Sequence, residues 1–162
     1  MKKFHKHLYA LLLLPVLLSG LGLSAREVPN FNLLDVHDKN HELFGAKGKA
    51  VVLFFTGSGC PVARKGVGKI KALEQTYAAE GVNFWIVNSY ADESKEDIRK
   101  EINKLGLGQM IYLLDSMQLV ALSYGVNRTA EIVAIDTFSL EVFYQGALDD
   151  QFGEDAERPE AT

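Results

Sequence analysis

One cysteine, Cys60, has both the residue type and the setting for chemistry. It follows the small-residue turn Thr56-Gly57-Ser58-Gly59 and precedes Pro61, with Arg64 and Lys65 one turn further on. Proline suits the first turn of a helix, where its missing N–H costs nothing, so Cys60 is predicted to stand at the N-cap. The first-turn N–H groups and the positive end of the helix dipole then face the sulfur. That setting, with two cations close by, lowers a thiol pKa and makes a thiolate nucleophile available near neutral pH. The plain alternative is a buried structural cysteine acting as a small hydrophobe. The helix start and the adjacent cations tip the balance toward reactivity.

The elements that must position Cys60 can be read on either side of it. Val51 to Phe55 is an unbroken apolar run, the pattern of a strand covered on both faces in an α/β sheet. Pro61 to Glu80 carries Val62, Val67, Ile70, Leu73 and Tyr77 near helical spacing, with Lys65, Lys69 and Lys71 for the wet side. Gly66 and Gly68 weaken that helix by roughly 1 kcal/mol each relative to Ala, and Gly81 is its expected C-cap. Val82 to Val87 predicts a second strand, with Trp85 in the core. After a polar exit over Asn88 to Glu93, Ser94-Lys95-Glu96-Asp97 reads as a capping box for a helix to Leu105 whose charges form a solvated face. Met110 to Leu114 predicts a strand, and Asp115 and Ser116 offer the cap of a helix to Tyr124, ended by Gly125. Glu131 to Ile135 and Leu140 to Tyr144 predict two strands joined by a turn at 136–139. This order gives a sheet with helices on both faces and an antiparallel pair at one side, with Cys60 at a strand's carboxyl end.

Composition sets the outer limits. The chain has 162 residues and a mean hydropathy of +0.01, as expected of one globular domain. Met1 to Lys6 is basic, Leu8 to Leu18 is apolar around Pro15, and Leu21 to Ala25 ends in small residues, which is the pattern of a secretory signal peptide over residues 1–25. Its apolar core is too short for a stable membrane span, so none is expected after cleavage. Loss of Lys2, Lys3 and Lys6 takes the basic count from 17 to 14 against 21 acidic residues and the net charge from −4 to −7. That balance argues against nucleic-acid binding. An exported chain with one cysteine has no internal disulfide, so its thiol is either reactive or paired with another molecule. Arg26 to Asn32 is an extended lead-in. Leu33 to Lys49 holds Asp35, His37, Asp38, His41 and Glu42, but their spacing fits no metal-ligand pattern, so a solvated hairpin or loop is expected and no metal. The domain is assigned to 26–153, and 154–162 to an acidic disordered tail or linker.

The segments VVLFFTGSGCPVARK, GVNFWIVNS, YLLDSMQLVALSYGVNRTAEIVAID and YQGALDDQFG together resemble the thioredoxin-fold redoxins. That group includes the alkyl hydroperoxide reductase/thiol-specific antioxidant proteins and the TlpA-like thiol-disulfide oxidoreductases. The resemblance runs from about Val28 to Gly153 and suggests an exported single-cysteine subgroup. It implies a thioredoxin-like three-layer α/β sandwich with a central mixed sheet flanked by helices. Cys60 matches the family nucleophile and Pro61 the proline after it, with Gly59 before them. Ala63 stands where the TlpA-like pattern has a second cysteine. Gly57 stands where peroxiredoxins usually have a threonine, leaving Thr56 as the nearest hydroxyl. Thr129-Ala130-Glu131 occupies the place of a Thr-Pro-Glu segment with a cis-proline, and the bond before Ala130 is expected to be trans. Arg128 is the expected stand-in for a peroxide-polarising arginine. No haem is expected without Cys-X-X-Cys-His, and no other cofactor is implied.

Three functions follow from the resemblance. The first is a one-cysteine peroxidase in the bacterial periplasm or secreted, in which the Cys60 thiolate attacks a hydroperoxide and an external thiol reduces the sulfenic acid. Arg64 and Lys65 would stabilise the thiolate, and Arg128 the departing oxygen. The second is thiol exchange with a protein disulfide through a mixed disulfide. The third is a degenerate, non-catalytic binding module on the same fold.

Overall fold

The computed structural model describes residues 28–57 and 59–148, with the backbone of 152–153 and 156–157. The signal-peptide assignment therefore lies outside the described residues. So does most of the tail, of which Phe152–Gly153 and Ala156–Glu157 pair as a short antiparallel ribbon.

The sheet is built outward from β3 (Ala50–Thr56), the strand that leads to Cys60. It lies parallel to β4 (Val82–Asn88), which lies parallel to β5 (Ile111–Leu114). On its other side β3 pairs antiparallel with β6 (Glu131–Asp136), and β6 with β7 (Glu141–Ala147). The order β5-β4-β3-β6-β7 makes a mixed five-stranded sheet with the cysteine strand at its centre. Two connections are helical: α1 (Pro61–Tyr77), continued by a 3-10 turn over Ala78–Glu80, and α2 (Lys95–Leu105). The short α3 (Leu119–Tyr124) leads from β5 toward β6.

The apolar run of β3 is explained by cover on both faces. Val51, Leu53 and Phe55 join Trp85, Val133 and Tyr124 in the core under α3 and the N-terminal segment. Phe54 faces the other layer with Ala63, Val67 and Ile70 of α1 and Ile98 and Ile102 of α2. This is the three-layer arrangement the strand and helix order predicts. Gly66 turns out to be a packing requirement, because a Cβ there would lie 3.1 Å from the Phe54 ring. Val62 and Tyr77, expected on the apolar side of α1, are exposed near its two ends.

Three local expectations are corrected. Leu33 to Lys49 does form a hairpin, β1 (Asn32–Leu34) against β2 (Asn40–Glu42), but it is not solvated throughout. Asp35 and His41 are buried and bonded to each other at 2.9 Å, because the hairpin packs on the sheet through Leu43 and an Asp35–Leu113 bridge. α3 starts at Leu119, with Gln118 at the N-cap in a left-handed conformation (φ 58°). Asp115 still serves that helix, accepting the N–H groups of Val120 at 3.2 Å and Ala121 at 3.0 Å. Leu140 belongs to the β6–β7 turn, at φ 55°, and β7 begins at Glu141.

Candidate active site

Cys60 is the N-cap of α1 and Pro61 opens the helix. The turn before it closes through Cys60 N–H to the Gly57 carbonyl at 3.1 Å, and Arg64 N–H returns to the Cys60 carbonyl at 3.1 Å. Gly59 takes φ +80°, a conformation that side chains resist, so the turn needs glycine for its backbone. The sulfur is partly exposed and lies 3.0 Å from the Thr129 hydroxyl. Burial pushes the thiol up, but the Thr129 hydroxyl, the Ala63 and Val62 N–H groups and the Arg64 charge outweigh it. Together they hold Cys60 below the ordinary thiol range.

Thr129 is carried to the sulfur by the segment leading into β6. Ala130 donates its N–H to the Phe55 carbonyl at 2.8 Å, which ties that segment to the end of the cysteine strand. No described peptide bond is cis, and Ala130 sits at φ +62°. At this position the chain therefore uses a left-handed alanine with a bonded N–H, a donor that proline lacks.

The other expected residues fall in different places. Arg64 is on the first turn, but its Nε donates to Glu101 on α2 at 2.9 Å. Lys65 is exposed on the same turn, and the charge that acts on the sulfur is that of Arg64. Arg128 turns to Glu131, 3.5 Å from Nε, rather than to the sulfur. Glu131 is buried and also accepts from Gln145 at 3.0 Å. Thr56 ends β3 in a buried position opposite Asn88, where its carbonyl accepts Ser89 N–H at 3.2 Å. The hydroxyl at the sulfur thus comes from Thr129. Ala63 is buried at 2% exposure in the second core layer. Beside Thr129 opens a cleft of about 360 Å³ walled by Phe55, Gly57, Tyr90, Leu122 and Arg128.

Glu101 is the residue the sequence did not single out. Besides Arg64 it approaches the Gly59 N–H, at 3.3 and 3.4 Å from its two oxygens. The available signal was its place next to Ile102 and one turn from Ile98, at the margin of the buried stripe of α2. Among the described residues no three His, Cys, Asp or Glu side chains come together as a metal site. No described helix is long and apolar enough to cross a membrane.

Comparison with known proteins agrees with this geometry. The thiol-disulfide oxidoreductase ResA of Bacillus anthracis is 32% identical over 111 residues, covering 68% of this chain and 62% of its own. ResA of Geobacillus thermodenitrificans is 30% identical over 108 residues, covering 67% and 60%. The chain thus spans about three fifths of the length of these curated relatives. The crystal structure of an uncharacterized conserved protein from Geobacillus kaustophilus matches with a TM-score of 0.73 and 27% identity, over 85% of this chain and 75% of that one. A thiol:disulfide interchange protein from Bacteroides sp. shares the fold at a TM-score of 0.64 and 21% identity, over 74% and 78%. The Redoxin family matches residues 23–157, a span that holds the whole five-stranded sheet and Cys60 at its centre. With Cys60 and the sheet both inside that match, the chain belongs to the Redoxin family.

Proposed function

We propose that this protein exchanges thiols and disulfides with a partner protein through Cys60. The thiolate attacks one sulfur of a partner disulfide, a bond forms between Cys60 and that sulfur, and the partner's other sulfur leaves as a thiolate. The chain has no second cysteine to resolve this mixed disulfide, since Ala63 stands one turn on. An external thiol therefore completes the exchange: it attacks the mixed disulfide and releases Cys60, and a second thiol equivalent finishes the two-electron reduction of the partner. The observation that carries this reading is the partly exposed sulfur at the start of α1, 3.0 Å from the Thr129 hydroxyl. The thiol-disulfide oxidoreductase activity for which the ResA relatives are named supports it over the part of their length that this chain matches.

Peroxide reduction has less support in the geometry. It would oxidise Cys60 to a sulfenic acid and needs a cation on the departing oxygen. Arg128 and Arg64 are each paired with a carboxylate. Export through the leader at 1–25 belongs to the same proposal and places the exchange outside the cytoplasm.

The test is capture. The protein is mixed with an oxidised, disulfide-bearing protein, and a covalent adduct at Cys60 is sought by non-reducing electrophoresis and mass spectrometry. An adduct that is absent in Cys60→Ser supports exchange. Rapid sulfenic acid formation by hydrogen peroxide with no adduct would replace exchange with peroxide reduction.

A further inference from the structure

We propose that Glu101 is a positioning residue for Cys60: from α2 it holds the Arg64 guanidinium and the Gly59 turn at the first turn of α1, and it offsets the positive charge facing the sulfur. The inference rests on the reading of Cys60 as the nucleophile. Ile98 and Ile102 anchor α2 in the same core layer as Ala63, Val67 and Ile70 of α1, so α2 lies against the helix that begins at the cysteine. Glu101 projects from that contact. Its side chain is only 11% exposed, whereas its partner Arg64 is 41% exposed. One oxygen accepts Arg64 Nε at 2.9 Å, and the two oxygens lie 3.3 and 3.4 Å from the Gly59 N–H. A single carboxylate therefore touches the residue before the cysteine and the cation one turn after it.

The surrounding charges leave Glu101 in this role. Glu93, Asp97, Lys100 and Lys104 line the same groove. Lys100 reaches Glu96 at 3.3 Å and Asp97 at 3.1 Å, while the Arg64 guanidinium reaches Glu101. The chemical consequence concerns nucleophilicity. A thiolate that is stabilised too strongly is abundant but weak, and the best attacking thiol titrates near the ambient pH. By opposing Arg64, Glu101 keeps the helix start from making Cys60 too acidic to attack well.

The experiment is the pH profile of Cys60 alkylation by iodoacetamide in the full chain. Glu101→Gln keeps an acceptor for Arg64 and removes only the charge. At about pH 6 its alkylation rate is expected to rise roughly threefold, with the midpoint moving to lower pH, as one opposing charge near a half-exposed sulfur permits. Glu101→Asp is expected to return the wild-type profile at an unchanged melting temperature. A Glu101→Gln midpoint that is unchanged or moves upward overturns the proposal. If Glu101→Gln does not fold, Arg64→Gln tests the pair from the other side: its midpoint is expected to rise, and an unmoved midpoint overturns the assignment. Mixed-disulfide capture is scored separately. Profiles that shift as expected without capture retain Glu101 and lose the exchange reading, and capture without a shift loses Glu101 alone.

Discussion

Replacing Thr129 by valine tests most directly whether the site is built to sustain a thiolate. Valine keeps the branched shape, including the methyl group that would lie 3.6 Å from a Cβ on Gly57, and removes only the hydroxyl 3.0 Å from the sulfur. A hydrogen bond to a charged group contributes about 1.5–3 kcal/mol when it is sheltered. Water on the open side of Cys60 reduces that to about 1 kcal/mol, or about fivefold in thiolate population below the titration midpoint. Alkylation of Thr129→Val should therefore be about fivefold slower in that range, and the two proteins should converge once the thiol is fully ionised. Thr129→Ser, which keeps the hydroxyl, should follow the wild type. Stability gives a second readout with a defined sign. Because the fold holds the thiol below its ordinary range, Cys60 contributes stability that is fully present above the unfolded thiol pKa and is lost as pH falls through the folded one. Thr129→Val should shrink that alkaline increment. Identical alkylation profiles for valine, serine and wild type would refute the argument that Thr129 stabilises the anion.

Three further outcomes follow from the same geometry. Ala130→Pro should lower stability by about 3 kcal/mol in urea unfolding, because proline cannot take φ +62° and loses the N–H donated to the Phe55 carbonyl. Asp35→Asn should cost about 2 kcal/mol at neutral pH, since the buried carboxylate accepts from His41, His37 and Lys39. Burial pushes Asp35 up, but those bonds and the His41 charge hold it below the usual carboxylate range. Its contribution is therefore present above the unfolded carboxylate pKa and lost as pH falls through the folded one, and urea titrations across acid pH should show a flatter loss in Asp35→Asn. Ala63→Cys should let the chain close its own disulfide, because residue 63 is one turn from Cys60 and its N–H already bonds the sulfur. Oxidised glutathione should then yield a species lighter by two hydrogens, and two persistently free thiols would refute this.

The strands and helices were legible because their signals are local. The unbroken apolar run of Val51–Phe55 announced a two-sided strand, Pro61 the helix start, and Ser94 the next cap, whose hydroxyl accepts Asp97 N–H at 3.1 Å. The solvated reading of the hairpin failed at Asp35 and His41 because two polar residues six apart look wet until the fold joins them. The resemblance places Thr129 in the segment that stands for Thr-Pro-Glu, but its hydroxyl contact with the sulfur spans 69 positions in sequence, and no spacing rule reaches that far.

The arginines show why residue types alone misplace electrostatics. Arg64 and Arg128 both stand in sequence where a thiolate would want them, and a count of nearby cations therefore makes the site look strongly electropositive. Each has a carboxylate partner: Glu101 from α2 for Arg64, and Glu131 three residues along for Arg128. An exposed paired guanidinium contributes far less field than a bare one. What remains at Cys60 is a short-range set of donors, the Thr129 hydroxyl and the first-turn N–H groups, with Arg64 as the weakest member. Those donors serve the thiolate in the proposed attack on a disulfide, whereas attack on a hydroperoxide would also need an unpaired cation for the departing oxygen.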